Sequence, residues 1–105
     1  VDTGEITIAT RSVEIDNVQV QEGQIIALHN GKLVLADSDL QRICLAFLEK
    51  VQAQRLELIT MFYGANLPKN EAFQIAESIR ARYPDQVVEL QEGCQPHYQF
   101  IISLY

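Results

Sequence analysis

Cys94-Gln-Pro-His97 sets a thiol and an imidazole three residues apart. That spacing could share a metal ion, or let the ring activate the sulfur. A closed zinc site needs four ligands and a catalytic one needs three plus water. The other histidine of the chain, His29, stands beside Asn30-Gly31. A nucleophilic Cys94 would also need a third group to orient His97, and an oxyanion site; the sequence identifies neither. The string therefore reads as a loop with an incidental thiol. Its backbone chemistry is more informative. Gly93 permits a positive φ and Pro96 fixes the approach to the segment that follows. Gln95 and His97 then present polar groups beside Tyr98. The loop is either a structural turn or a surface for a ligand or partner.

Other candidates reduce to structure. Gly64 ends an apolar run and precedes a helical pattern, where an α/β protein can cradle a phosphate. A lone glycine is not a glycine-rich loop, and Pro68 removes one N–H donor. Glu14 with Asp16, and Asp37 with Asp39, alternate in the manner of magnesium ligands, yet each pair reads more simply as turn and cap residues. Phe47, Phe73 and Phe100 fall on expected core faces and read as packing, not as a platform for stacking bases.

Eight basic and fourteen acidic residues give a net charge of −6. No basic stripe suits a nucleic acid. No apolar run approaches the roughly 18 residues of a membrane span, and the polar N-terminus is unlike a signal peptide. Hydrophobic content of 48% and charged content of 21% are ordinary for a globular domain. The opening Val1-Asp2-Thr3 lacks an initiator methionine and suggests a piece of a longer protein. Cys44 lies on an apolar helical stripe and Cys94 in a loop, which is no disulfide framework. A reducing, cytoplasmic setting is the expectation.

The elements that would position these groups centre on Leu56–Gly64. Leu56, Leu58, Thr60 and Phe62 alternate with Ile59, Met61 and Tyr63, so both faces are largely apolar, as in a strand buried on two sides. It is expected to be central, between two helices. Upstream, Glu5–Thr10 reads as a strand with Ile6 and Ile8 inward. Val13–Ile15 and Val18–Val20 are short extended pieces around Asp16-Asn17. Gln24–His29 and Lys32–Ala36 are strands joined by Asn30-Gly31, the residue pair that a two-residue type I′ hairpin turn requires.

Ser38 and Gln41 are spaced as a capping box for a helix over Asp39–Gln54. Leu40, Ile43, Cys44, Phe47, Leu48 and Val51 form its apolar stripe. Past Gly64 a second helix over Pro68–Arg82 buries Ala72, Phe73, Ala76, Ile79 and Tyr83, with Pro68 suited to a first turn. Gln86–Leu90 and Tyr98–Leu104 complete the strands. Tyr98, Phe100, Ile102 and Leu104 share one face, and Ile101 makes the other face apolar too.

Two helices cannot cover both faces of so wide a sheet. The expected fold is α+β, a two-layer sandwich of mixed β-sheet with both helices on one face. The opposite face, bearing Ile59, Met61 and Ile101, would then be covered by the N-terminal strands, another domain or a second subunit.

Several strings in order carry a resemblance: Glu5-Ile6-Thr7, Ala9-Thr10-Arg11, Glu14-Ile15-Asp16, Gly23, Asn30-Gly31-Lys32, Tyr63-Gly64 and Glu92-Gly93-Cys94-Gln95-Pro96 with Tyr98. Together they resemble the C-terminal end of the fatty acid kinase ATP-binding subunit, the dihydroxyacetone-kinase-like proteins, over essentially all 105 residues. The departure is Cys94, where a smaller residue is expected.

The resemblance implies that residues 1–105 are one C-terminal accessory domain of a longer kinase subunit, related in fold to DegV-like fatty-acid-binding proteins. ATP and magnesium would sit in a separate kinase domain, with no cofactor, no metal and no catalytic residue in this chain. The implied role is to dock a DegV-like fatty-acid-binding partner so that its acyl carboxylate reaches the kinase for acyl phosphate formation. The surface implied for that contact is Tyr63, Gly64, Gln95, Pro96 and Tyr98. Other domains of the same polypeptide, or a second copy in a homodimer, are further expected partners. Two other readings stand beside this one: a small-molecule-sensing regulatory domain of a metabolic enzyme, and a hydrolase using Cys94 and His97.

Overall fold

In the computed structural model, which describes residues 2–105, the chain runs β1 (Asp2–Ile8), β2 (Val13–Ile15), β3 (Val18–Val20), β4 (Ile25–His29), β5 (Lys32–Asp37), α1 (Leu40–Lys50), β6 (Leu58–Tyr63), α2 (Lys69–Arg82), β7 (Val87–Glu92) and β8 (Tyr98–Leu104). A 3-10 turn, Ala53–Arg55, links α1 to β6. Six strands form one mixed sheet in the order β5-β4-β1-β8-β6-β7, and β2 pairs with β3 in a separate hairpin. β6 and β7 run parallel, because α2 carries the chain back between them. The other pairs in the sheet are antiparallel.

Both hairpin turns follow from residues that tolerate the left-handed region. Asn30 (φ 52°) and Gly31 (φ 86°) join β4 to β5, and Asp16 (φ 51°) and Asn17 (φ 68°) join β2 to β3. Each is the double positive φ of a type I′ turn, whose twist matches that of the flanking strands.

Both helices cover one face, as expected of the two-layer α+β sandwich. Ile59, Met61 and Tyr63 of β6 stand opposite Leu104, Ile102 and Phe100 of β8, and Gly4 and Ile6 of β1 oppose Ile102 and Phe100. These residues are buried beneath Phe47 and Leu48 of α1 and Ile75 and Ile79 of α2, in one continuous core. Gly4 is where the Phe47 ring comes down on the sheet: a Cβ there would lie 2.5 Å from the ring.

Register overturns one expectation. Ile59 and Met61 belong to the helix-covered face, and the open face carries Leu58, Thr60, Phe62 and Ile101. Both faces of β6 are apolar, so alternation alone could not say which one turned inward. β6 also lies one place from the sheet edge, while β1 and β8 form the middle. On the β4–β5 side, the β2–β3 hairpin partly covers the open face. A cleft of about 200 Å³ between them is lined by residues that include Arg11, Val13, Val20, Ile26 and Leu28.

Other differences are local. β1 starts at Asp2 and Ile8 is 46% exposed: it is the last residue of β1, paired with Ile25 of β4 but past the register shift at Ile6/Thr7 and the end of the β8 ladder at Thr7. In α2, Phe73 is 52% exposed and Ile75 takes the core position expected of it. α1 is capped by Asp39, whose carboxylate accepts the Arg42 N–H at 2.9 Å, and not by Ser38. It ends at Lys50, where Gln52 turns left-handed (φ 58°).

Candidate functional site

The end of β6 and the loop between β7 and β8 close on each other. Gly64 occupies the contact. A Cβ at this position would lie 1.8 Å from the Tyr98 carbonyl oxygen and 3.0 Å from that of Gln95, so only hydrogen fits against the crossing backbone. The Gly64 N–H donates to the Gln99 carbonyl, and the Ala65 N–H to the Gln95 carbonyl, each at 3.0 Å. From the loop, Gln95 Nε2 donates to the Phe62 carbonyl at 2.9 Å. The Gly93 N–H donates to the Tyr63 carbonyl at 3.0 Å, extending the parallel ladder one residue past β7. Tyr63, Gly64, Gln95, Pro96 and Tyr98 are thereby brought to one corner of the sheet.

Two residues outside the surface expected for partner contact complete the corner. The Tyr63 hydroxyl donates to Glu92 Oε2 at 3.4 Å, and the Thr7 hydroxyl of β1 donates to the His97 carbonyl. These are contacts across 29 and 90 positions, and no local pattern announces them. With its backbone held at Gly93, Gln95 and His97, the loop turns outward as Cys94, Pro96 and His97, all exposed. Cys94 (φ 57°) and His97 (φ 72°) both sit in the left-handed region, where a side chain is strained and surrounding contacts must hold it.

Gly93 serves differently from expectation. Its φ is not positive; a Cβ would lie 1.9 Å from Gln95 Oε1 and 3.0 Å from the Phe62 Cβ. Its smallness lets the Gln95 amide fold back onto β6. Gln95 is therefore turned inward, and His97 is the polar side chain the loop displays.

The corner has little means for covalent chemistry. Nearby Glu92 charge, then partial burial and a hydrogen bond to Glu92, push the Cys94 thiol up from its ordinary value. A nucleophilic cysteine needs the opposite, a positive neighbour that favours thiolate. Burial and Glu92 likewise push the Tyr63 phenol up. Among the described residues no group of three or more His, Cys, Asp or Glu side chains could hold a metal.

The remaining candidates are accounted for in the same way. The N–H groups of Gly64, Ala65 and Leu67 are all donated to carbonyls, so these three do not point to a phosphate after β6. Asp37 accepts the Ser38 and Asp39 N–H groups and the Arg42 side chain. Glu14 accepts from Gln19 across the β2–β3 hairpin. No helix is long and apolar enough to cross a membrane among the described residues.

Comparison with known proteins places the chain in a family. It is 31% identical over 104 residues to an uncharacterized protein of Staphylococcus epidermidis, an alignment covering 99% of this chain and 19% of that protein. Uncharacterized proteins of Staphylococcus aureus and Staphylococcus haemolyticus align over the same shares at 30% and 28% identity. The chain thus spans about a fifth of the length of the curated relatives it matches, at 19%. A family model for the C-terminal part of fatty acid kinase subunits of the FakA-like type matches residues 1–104. The chain belongs to this family of FakA-like fatty acid kinase C-terminal domains.

Proposed function

We propose that this domain is a non-catalytic docking module, and that the corner built by Tyr63, Gly64, Gln95, Pro96 and Tyr98 receives a DegV-like fatty-acid-binding protein. The partner's bound acyl carboxylate would then reach a kinase domain elsewhere in the same polypeptide for acyl phosphate formation. ATP and magnesium belong to that kinase domain in this reading. The observation that carries it is the braced, outward-turned loop. Hydrogen bonds to β1, to β6 and to Ala65 just past β6 hold the loop at Gly93, Gln95 and His97, while its exposed side chains make no catalytic grouping. A rigid, strained display of surface is what pre-organised recognition requires.

The test is partner affinity, measured by titration of the full polypeptide with a DegV-like fatty-acid-binding protein. Pro96→Arg alters an exposed residue without touching the hydrogen bonds beneath, and Gln95→Ala and Tyr98→Ala loosen the corner itself. Each is expected to weaken binding at least tenfold. Affinity unchanged in all three overturns the reading.

A second reading has one observation of its own. The cleft of about 200 Å³ under the β2–β3 hairpin is mostly apolar with Arg11 among its lining residues, which suits a small-molecule-sensing regulatory domain. A ligand bound there would raise the thermal midpoint with the logarithm of its concentration once that exceeds Kd, with no fatty-acid-binding protein present.

A further inference from the structure

We propose that the open face of the sheet seats another part of the same polypeptide, with Val87, Leu58 and Tyr105 as its anchor row. The three residues come from adjacent strands. Leu58 is in register with Val87, and the Tyr105 N–H donates to the Leu58 carbonyl at 3.0 Å, carrying the β6–β8 ladder one residue past β8. Their neighbours Val88, Ile59 and Leu104 point into the core, so alternation turns all three outward. Val87 is 60% and Tyr105 55% exposed. Half-buried Phe62 and Ile101, paired across β6 and β8, add a second apolar step on the same face, beyond the intervening row of Glu89, Thr60 and Ser103. Exposed apolar rows of this kind mark interaction sites.

The geometry and the relatives select the occupant. The greater part of each relative lies outside the matched segment, which covers 19% of its length, and the family is described as C-terminal. Asp2, at the start of β1, pairs with Leu104, one residue from Tyr105. In a polypeptide extended as the relatives are, residues joined ahead of β1 would meet the sheet at its middle, at the end where the anchor row lies. A second copy is disfavoured by charge. Glu89 and Glu5 stand on this face, at the edge strand and at β1, and a two-fold pairing would bring like charges into one interface. The proposal does not rest on the docking reading, because the row lies at the Leu58 end of β6 and the docking corner at the Tyr63 end.

The test is cysteine reactivity in the full-length polypeptide. Cys94→Ser removes the exposed native thiol of this domain, and Val87→Cys and Phe73→Cys are made separately in that background. Each is alkylated with iodoacetamide, natively and in urea, and read on its own peptide by mass spectrometry. Phe73→Cys, on the outer side of α2, reports an uncovered site. Val87→Cys is expected to react at least tenfold more slowly in the native protein than in urea, at every protein concentration and without added partner. Protection below tenfold overturns the proposal. So does protection that grows with protein concentration, which would indicate a second copy, or protection that requires an added fatty-acid-binding protein.

Discussion

At the scale of single residues, the corner depends on the absence of side-chain atoms at two glycines, for different reasons. At Gly64 the obstacle to a Cβ is backbone, the Tyr98 carbonyl oxygen at 1.8 Å. That oxygen cannot move without the start of β8. At Gly93 the closest obstacle is the Gln95 side-chain oxygen at 1.9 Å, which can rotate away. Overpacking commonly costs about 1–3 kcal/mol, and more where the neighbour cannot yield. Gly64→Ala is therefore expected to lose about 3 kcal/mol or more of folding stability, read as a fall in denaturant midpoint at constant slope. Gly93→Ala should lose less, because its main consequence is release of the Gln95–Phe62 hydrogen bond, about 1 kcal/mol. Equal losses would show that the crowding at Gly64 relaxes as easily as a side chain does.

At the scale of elements, α2 shows what periodicity can and cannot decide. Ala72, Ala76, Ile79 and Tyr83 are buried as their spacing required. Phe73 was expected in the stripe, but Phe73 and Ile75 lie about 200° apart around the helix, so only one of them can face the sheet. The larger side chain faces outward, and Ile75 completes the i, i+4 pair with Ile79. Ile75→Ala is thus expected to cost about 2–5 kcal/mol as a core truncation, and Phe73→Ala to stay within about 0.5 kcal/mol as a surface change. Thermal or denaturant unfolding of the two variants checks this, and the reverse order would mean α2 is rotated. The same contrast explains the rest of the fold. The Asn30-Gly31 hairpin and the α1 stripe were legible because turn chemistry and a dense apolar repeat are local properties. The inward face of β6 was not legible, because Leu58 and Phe62 are as apolar as Ile59 and Met61, and only pairing with β8 distinguishes them. The corner was half legible. Tyr63, Gly64 and the Gly93–Tyr98 string stood out by resemblance and turn chemistry, while Glu92 and Thr7 enter through contacts that require the finished sheet.

At the scale of the whole molecule, the two flanks of the sheet are secured by different physics. The β6–β7 flank lies under α2 and is held mainly by buried apolar side chains. The β4–β5 flank adds carboxylate clasps between elements. Asp2 of β1 meets Asn30 and His29 at 3.3 and 3.2 Å, tying the first strand to the β4–β5 turn. Asp37, at the end of β5, receives Arg42 Nε at 2.7 Å, locking the strand to the first turn of α1. The Arg42 guanidinium, and then the backbone N–H groups of Asp39 and Ser38, hold the Asp37 carboxyl well below the usual carboxylate range. The Asn30 side chain, followed by His29, lowers that of Asp2. A carboxylate whose folded pKa is depressed stabilises the fold at every pH above its unfolded value, near 3.9 for Asp. That stabilisation is lost as pH falls from there through the lowered folded value. Asp37→Asn is therefore expected to be less stable than the parent at neutral pH. The difference should shrink steadily once the pH drops below about 4, because protonation removes from the parent the charge that the variant already lacks. Denaturant midpoints of both proteins between pH 7 and pH 2 measure it. A stability difference that stays constant across that range would mean that the Asp37–Arg42 clasp adds nothing to the joint between the sheet and α1.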